Sequence, residues 1–304
     1  MDTKILKANP DGFAIASEIL KSGGLVAFPT ETVYGLGADA FNTKAVAKIY
    51  SAKKRPNFNP LIVHVIDLET AQKFVYLDAD ALLLANNFWP GPLTIVAPIR
   101  AGSNLSELIT AGLDTIAIRV PAHPVARKLL EIFNGPVAAP SANPSGSISP
   151  TSASHVKNGL NGRIHAILNG GKCNVGLEST IILSQNGECH LLRSGGIPEK
   201  NIEEILGYKL LSNKHPISPI SPGQLSSHYA PNAKLRMNAQ SASEDEYMIG
   251  FGHIIGQLNL SSKGDLTEAA SNLFSYLHMA DEDTLTLGKT KIAIAPIPMN
   301  GLGI

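Results

Sequence analysis

Residues 43–65 read TKAVAKIYSAKKRPNFNPLIVHV, a helix pattern followed at once by a strand pattern. The apolar residues of Thr43–Lys54 recur at helical spacing. Pro56 ends that helix, and Pro60 forces an extended chain at the entry to the apolar run Leu61–Val65. Helices that alternate with buried strands are typical of an α/β domain.

The same alternation continues on both sides of that stretch. Thr115–Val120 alternates strictly, with Ile116 and Ile118 on one face and Arg119 on the other. Further strands are predicted at Leu25–Phe28, Leu93–Ile99, Val137–Ala139, Ala166–Leu168, Thr180–Leu183 and His190–Arg193, and further helices at Ala14–Lys21, Ala81–Phe88, His123–Phe133 and Ile202–Leu206. The sequence therefore predicts an α/β fold built on a mostly buried sheet.

The amino-acid composition changes near residue 209. Prolines and serines are interspersed between Leu211 and Pro231, and no helix or strand periodicity persists there. A strand, a helix and a strand come next, at Tyr247–Phe251, Leu266–His278 and Lys291–Ala295, which suggests one βαβ unit. We therefore predict a first domain, a Pro/Ser-rich linker and a small second domain, with bounds 1–208, 209–232 and 233–304.

Composition narrows the functional class. The 304 residues are 44% hydrophobic with zero formal net charge, so bulk charge gives no reason to expect nucleic-acid or membrane binding. Cys173 and Cys189 are the only cysteines, which excludes a disulfide framework and argues against structural zinc. Residues 1–13 lack the apolar segment of a signal peptide, and no apolar run is long enough for a membrane span. We expect a cytoplasmic protein.

Familiar nucleotide and hydrolase motifs are absent from the sequence, namely GxxxxGK[ST], GxGxxG after a strand, GxSxG and HExxH. Any ATP site must therefore use another arrangement. The basic loop Lys53–Pro60 offers one, because Arg55 could make a forked contact with a triphosphate while Lys53 adds a point charge. The alternative is a solvated basic helix end that interacts with the helix dipole.

Other polar candidates lie at strand ends, where functional residues concentrate. Pro140–Asn143 could hold an anion or a ribose, or could be an ordinary strand-ending turn. Gly176–Thr180 enters one strand and Arg193 ends another. Arg119 is either a site cation or an exposed arginine on a half-solvated strand. His64, in the middle of a strand, is either a site residue or a satisfied core histidine.

Taken together, the polar segments resemble those of the YrdC-type threonylcarbamoyl-AMP synthases. The matching motifs occur in the order of that family and cover about residues 4–206. They are Phe28–Gly37 (FPTETVYGLG), Lys53–His64 (KKRPNFNPLIVH), Trp89–Thr94 (WPGPLT), Ala111–Pro124 (AGLDTIAIRVPAHP), Ala139–Asn143 (APSAN), Ser149–Thr151 (SPT) and Gly176–Ile181 (GLESTI).

The resemblance implies a twisted, mixed α/β sheet that encloses a deep basic cavity. Ser221–Gly223 and Ser227–Pro231 resemble the linker of the long form of the family, which folds back over the active-site cavity as a lid. The chain after Pro231 resembles the small Rossmann-like C-terminal domain of that form. Relatives usually continue through one more helix after residue 304, so a truncated second domain is one expectation, and Ser-Gly-Gly after Arg193 replaces the Pro-Gly of many relatives.

The resemblance also assigns site residues. It implies that L-threonine is bound near Thr32, His64, Arg119, Ala139 and Ser179. It implies an ATP site formed by Arg55, Asn59, Thr115, Ser141, Asn143, Ser149, Arg193 and Tyr229. Lys53, Arg55 and His64 are the catalytic candidates. Mg²⁺ is expected to accompany ATP, and no protein side chain is identified as its ligand.

The implied reaction joins L-threonine, bicarbonate or CO₂, and ATP into threonylcarbamoyl-AMP with release of pyrophosphate. A downstream threonylcarbamoyl transferase complex would then use the product on tRNA. No enzyme nucleophile is needed, so positioned cations and backbone donors are the main catalytic devices. His64 could bind the substrate hydroxyl or help to deprotonate the amine.

Two other functions remain open on the sequence alone. One is a double-stranded RNA-binding, translation-associated module, which zero net charge disfavours. The other is a carbamoyltransferase of the hydrogenase-maturation type, whose zinc fingers and further domains this sequence lacks.

Overall fold

The structure, a computed structural model, describes residues 2–56, 59–212 and 229–303. The lid predicted from Ser221–Gly223 and from Ser227 and His228 lies outside the described residues. The helices are α1 (Pro10–Lys21), α2 (Thr43–Lys53), α3 (Leu68–Ala71), α4 (Ala79–Phe88), α5 (Pro124–Phe133), α6 (Ala153–Leu160), α7 (Glu199–Leu206) and α8 (Leu266–Thr286). A short 3₁₀ helix lies at Gly301–Gly303.

Two separate sheets account for the strands. The strands are β1 (Lys4–Lys7), β2 (Val26–Pro29), β3 (Tyr34–Asp39), β4 (Ile62–His64), β5 (Leu93–Pro98), β6 (Thr115–Arg119), β7 (Val137–Ala138), β8 (Ala166–Asn169), β9 (Thr180–Gln185), β10 (Glu188–Arg193), β11 (Leu211–Ser212), β12 (Lys234–Arg236), β13 (Glu246–Gly250), β14 (Leu258–Asn259) and β15 (Lys291–Ile294). The first sheet has the order β1-β8-β2-β3-β7-β4-β6-β5-β9-β10-β11, and the second β12-β15-β13-β14.

The first sheet is mixed, which confirms the predicted fold class. Strand β4 runs parallel to β6, whereas β5 runs antiparallel to β6 and parallel to β9. The second sheet is parallel throughout, and β13, α8 and β15 form the predicted βαβ unit. β11 falls inside the range predicted as linker, and the bounds 1–208, 209–232 and 233–304 stay a prediction.

The central strands of the first sheet have one face on the main core and another on the polar site. Val63, Ile118 and Ile182 belong to the main core. Ile62 and Ala117 belong to a smaller apolar cluster on the opposite face. Because side chains alternate along a strand, His64 and Arg119 share the face of this smaller cluster. The sheet thus places two polar side chains on a mostly apolar floor.

Local capping explains where several helices begin. Asn9 accepts a hydrogen bond from the Gly12 amide, and Pro10 occupies the first turn, so α1 starts four residues before the predicted Ala14. Asn42 caps α2 in the same way. At the other end of the chain, α8 extends eight residues beyond the predicted His278. Within the described ranges, no helix is long and apolar enough to cross a membrane.

Candidate functional site

A small cavity of about 20 Å³ opens on the polar face of the first sheet. Glu178 contributes a carboxylate to its wall. The structure brings half of the predicted site residues to this wall, namely Thr32, Arg55, His64, Arg119, Ala139, Ser141 and Arg193. They come from separate strands and loops of the chain, so the cavity exists only in the folded protein.

Arg119 is held at the cavity by a buried ion pair with Glu31. Its Nη2 is 2.5 Å from Glu31 Oε1, its Nη1 donates to Thr32 Oγ1 at 2.9 Å, and its Nε donates to the Gly91 carbonyl at 3.1 Å. Burial acts to raise the pKa of Glu31, but the charge and hydrogen bonds of Arg119 outweigh it and lower that pKa. Arg119 is 3% exposed, which rules out the surface-arginine alternative.

His64 lies beside Arg119, because the two residues are register partners on adjacent parallel strands. Its side chain is almost fully buried, and its Nδ1 has no hydrogen-bond partner among the described residues. Burial, together with the nearby Arg119 charge, lowers the pKa of His64 to about 3. His64 is therefore a neutral imidazole with an unsatisfied nitrogen at the cavity wall, and not a satisfied core histidine.

Arg55 lies on another part of the cavity wall and contacts Asn59, which does not line the cavity. Arg55 donates through Nε to the Asn59 carbonyl at 3.2 Å and through Nη2 to the Pro60 carbonyl at 2.8 Å. Neither amide atom of the fully buried Asn59 side chain has a hydrogen-bond partner in the described part of the chain. Burial lowers the pKa of Arg55 to about 10. Arg55 is thus a buried donor and not part of a solvated helix end.

Lys53 has a different position from the one the sequence predicts. Its Nζ donates to the carbonyls of Ser141 at 2.6 Å and Asn143 at 2.5 Å, and the residue is 1% exposed. Asn143 in turn donates to the Ser147 carbonyl at 2.7 Å. Burial lowers the pKa of Lys53 well below its usual range. The ammonium group thus ties α2 to the loop that follows β7, away from the cavity wall.

Arg193 connects Ser179 with Glu178, and Glu178 in turn contacts Ser149. Arg193 donates through Nε and Nη2 to the Ser179 carbonyl, at 3.0 and 2.8 Å, and its Nη2 lies 3.7 Å from Glu178 Oε2. Ser149 donates to Glu178 Oε1 at 2.7 Å. Ser179 also hydrogen-bonds through its hydroxyl to Thr94 at 2.7 Å. Ser149 and Ser179 therefore support the cavity through Glu178 and Arg193.

Tyr229 joins this site to the second domain. Its ring lies against Phe274 of α8, with centroids 5.3 Å apart. Burial raises the pKa of its hydroxyl, and a hydrogen bond with Arg193 partly offsets that rise. Tyr229 and Glu178 also line an apolar cavity of about 420 Å³ between the two sheets.

Thr115, like Lys53, is a predicted site residue that lies away from the wall of the small cavity. It is half-buried and lies on the same face of β6 as Arg119, four residues earlier, which corresponds to about 13 Å along the strand. It does not line the small cavity. A ligand that reaches Thr115 must therefore extend along the apolar floor.

The sequence singled out neither carboxylate of the site. Glu31 and Glu178 lie inside the quoted motifs Phe28–Gly37 and Gly176–Ile181, but nothing in the local pattern shows that each faces an arginine. Their partners are 88 and 15 residues away in sequence. The sequence offered one indication of these pairs. Each glutamate lies in a motif of otherwise apolar or small residues, where a buried charge needs a partner.

Comparisons with known proteins match both parts of the chain. The family model Sua5_yciO_yrdC, described as telomere recombination, matches residues 18–195, and the model of the threonylcarbamoyl-AMP synthase C-terminal domain matches residues 197–304. The chain is 45% identical to the threonylcarbamoyl-AMP synthase of Bacillus subtilis, over 81% of this chain and 72% of that protein. It is also 45% identical to the enzyme of the same name from Pyrococcus abyssi, over 73% and 66%.

Solved structures agree with this similarity. The structure of P. abyssi Sua5 complexed with L-threonine superposes with a TM-score of 0.89 at 36% identity, covering 99% of this chain and 94% of that one. The Escherichia coli YciO structure, at 23% identity and a TM-score of 0.58, shares the fold over 64% of this chain. The chain therefore belongs to the Sua5/YciO/YrdC family, in the two-domain form that carries the threonylcarbamoyl-AMP synthase C-terminal domain.

Proposed function

We propose that this chain is an L-threonylcarbamoyladenylate synthase, a nucleotidyltransferase. It condenses L-threonine, bicarbonate or CO₂, and ATP into threonylcarbamoyl-AMP and releases pyrophosphate. This is the first step in the formation of N6-threonylcarbamoyladenosine in tRNA. A downstream threonylcarbamoyl transferase complex consumes the product, and we expect both reactions in the cytoplasm.

The observation that carries this proposal is the charge of the small cavity. Arg55, Arg119 and Arg193 line it together with a single carboxylate, that of Glu178. Glu31 is the counterion of Arg119, so three positive charges against two carboxylates leave an excess of one at the site. A carbamate and a triphosphate must approach each other in this reaction, so a water-poor cavity with fixed cations suits it.

The contacts of each residue suggest its role. Arg55 is the phosphate-binding candidate, because its Nη1 makes no hydrogen bond to the described residues. Lys53 acts as a positioning residue for Ser141. His64 binds threonine as a neutral imidazole, because a group with a pKa of about 3 is a weak base near neutral pH. Of the two roles that the sequence left open for His64, its low pKa thus favours binding.

Mg²⁺ accompanies ATP in this proposal. Within the described ranges, no three His, Cys, Asp or Glu side chains gather as a metal site. Mg²⁺ nevertheless fits, because it is usually held by one or two carboxylates together with substrate phosphates and water. Glu178 is the carboxylate on the cavity wall that would serve. When bound, the ion neutralises phosphate charge on the leaving pyrophosphate.

The direct test is to incubate the protein with threonine, bicarbonate, ATP and Mg²⁺, and to omit each in turn. Pyrophosphate release should require all of them, and mass spectrometry should detect the threonylcarbamoyl adenylate. Equal pyrophosphate release without threonine would refute the proposal. Retention of double-stranded RNA without any turnover would favour the RNA-binding alternative.

A pair of arginine variants tests whether the cavity is the site. Arg55→Ala should lower pyrophosphate release about 10²-fold, because Arg55 lines the cavity. Arg163→Ala removes the same charge from an exposed position and should match the unchanged protein. Equal activity in both variants would show that the reaction takes place elsewhere.

A further inference from the structure

Besides Phe274, one histidine of α8 connects the second domain to the candidate ATP site. His278 Nε2 lies 3.1 Å from the carbonyl oxygen of Ser149. A carbonyl can only accept, so Nε2 carries the proton and donates it. The hydroxyl of the same Ser149 donates to Glu178, on the cavity wall. A donor from the second domain is thus two hydrogen bonds away from the cavity.

A second imidazole, from the first domain, supports this contact. His155 of α6 stacks on His278, with ring centroids 3.9 Å apart and planes inclined by 23°. The Thr151 amide donates to His155 Nδ1 at 3.3 Å, so that nitrogen carries no proton and the ring is neutral. The stacked pair therefore holds Ser149 at its carbonyl and Thr151 at its amide.

The segment between these two contacts is held from the first domain as well. The Pro150 carbonyl accepts from the Tyr34 amide at 2.8 Å, and the Thr151 carbonyl accepts from the Cys173 amide at 3.0 Å. The carbonyl of Ser149 is the point at which the second domain takes part. Removing the His278 donor would leave a buried carbonyl without this partner.

We propose that His278 is a positioning residue for the nucleotide, which makes the second domain a working part of the ATP site. By fixing the Ser149 carbonyl it fixes the direction of the Ser149 hydroxyl toward Glu178. The inference rests on the proposed function, because it takes Ser149 to contact ATP. It assigns the second domain a task that its sheet and helix alone do not suggest.

The contact requires His155 to be neutral because its Nδ1 accepts, whereas His278 donates through Nε2 in either protonation state. Burial, the other imidazole and Lys172 lower the pKa of His155 to about 3. Burial also lowers the pKa of His278. The Ser149 carbonyl, Glu282 and Asp281 act in the opposite direction, because they favour its charged form. A histidine whose folded pKa is lowered favours the folded contact above about pH 6.5, and that advantage is lost as pH falls toward 3.

The experiment separates the hydrogen bond from the ring. His278→Phe keeps a stacking ring without a donor, and His278→Gln keeps an N–H donor without the ring. His278→Phe should raise the KM for ATP about fivefold, the scale of one intramolecular hydrogen bond, while kcat and the KM for threonine change less than about twofold. His278→Gln should stay close to the unchanged protein. His253→Gln, at an exposed position of the same domain, is the control.

Each outcome decides one of the two proposals. If the protein without substitutions shows no activity, the proposed function is refuted. Amide hydrogen exchange at Thr151 then tests the inference, because His278→Phe should accelerate that exchange. Unchanged KM and unchanged exchange in His278→Phe would overturn the inference. Equal losses in the Phe and Gln variants would also overturn it, since packing and not the hydrogen bond would matter. If His278→Phe fails to fold, His278→Leu is the second variant without a donor, and an unchanged KM for ATP in it would overturn the inference.

Discussion

Glu31→Gln is expected to destabilise the first domain by about 3 kcal/mol. Glu31 is the internal counterion of Arg119, and the two side chains are only 11% and 3% exposed. Removing one partner of such a pair leaves a buried charge without compensation, which typically costs about 3–5 kcal/mol. The loss is a large fraction of the ~5–15 kcal/mol by which a typical protein is stable.

The contacts around the pair place the loss near the lower end of that range. Arg119 retains its hydrogen bonds to the Gly91 carbonyl and to Thr32. Glu31 uses both oxygens, one on Arg119 and the other on the amides of Ala122 and His123. Glutamine offers one acceptor oxygen, so its NH₂ group must face either the guanidinium or the two amides.

Urea unfolding at pH 7, followed by the fluorescence of Trp89, measures the effect locally. Trp89 is the only tryptophan in the sequence and lies two residues before Gly91. Glu131→Gln is the matched control, because Glu131 pairs with Lys128 at 3.1 Å with side chains 62% and 50% exposed. Such a surface pair contributes at most about 1 kcal/mol.

The pH dependence gives a second check with a definite sign. The folded-state pKa of Glu31 lies below its ordinary 4.5. Its contribution is therefore fully present above about pH 4.5 and is lost as pH falls through the lower folded value. The difference in the free energy of unfolding between the unchanged protein and Glu31→Gln should become smaller as the pH falls through that window. A loss at pH 7 no larger than that of Glu131→Gln would refute this account of Arg119.

Three further predictions concern the site and the domain contact. Arg55→Ala should lower turnover about 10²-fold, and Arg55→Lys should recover only part of it because a point charge cannot reproduce the fork, as measured by pyrophosphate release. Tyr229→Phe keeps the ring on Phe274 and should raise the KM for ATP about fivefold without a change in Tm. Gly176→Ala should loosen the contact between the domains, because a Cβ at this position would lie 2.4 Å from a carbonyl oxygen of α8, and limited proteolysis should then be faster. Gly187→Ala is the control, because Gly187 has a similar φ and open space around it, and it should leave the proteolysis rate unchanged.

Regular elements with clear periodicity were predictable from the sequence. Thr115–Val120 showed its two faces by alternation alone, and the structure places Arg119 on the face opposite the main core. Strand β3 was not predicted, since its sequence YGLGAD contains glycines that are poor strand formers. It is buried along nearly its whole length, so tertiary packing and not local preference stabilises it.

The contacts between the site residues were harder to predict from the sequence than the identity of those residues. Family motifs identified Lys53 and Arg55 together, but only the folded loop shows that Lys53 bonds to backbone carbonyls while Arg55 lines the cavity. His278 gave no signal at all, because its partner Ser149 is 129 residues earlier and in the other domain. Side-chain pairing over such separations depends on how strands and domains assemble, which periodicity does not encode.

The distribution of unsatisfied atoms connects stability with function in this fold. Arg119 already has its internal partners, including the Glu31 carboxylate, so this cation is buried at moderate cost. Asn59 and His64 instead keep buried polar atoms without partners among the described residues. Each such atom costs about 1–3 kcal/mol, and at His64, which lines the cavity, a bound substrate can recover that cost by forming the missing hydrogen bond. In the proposed function the site is therefore rigid at Arg119 and incomplete at His64, an arrangement that would direct binding energy toward the correct substrates.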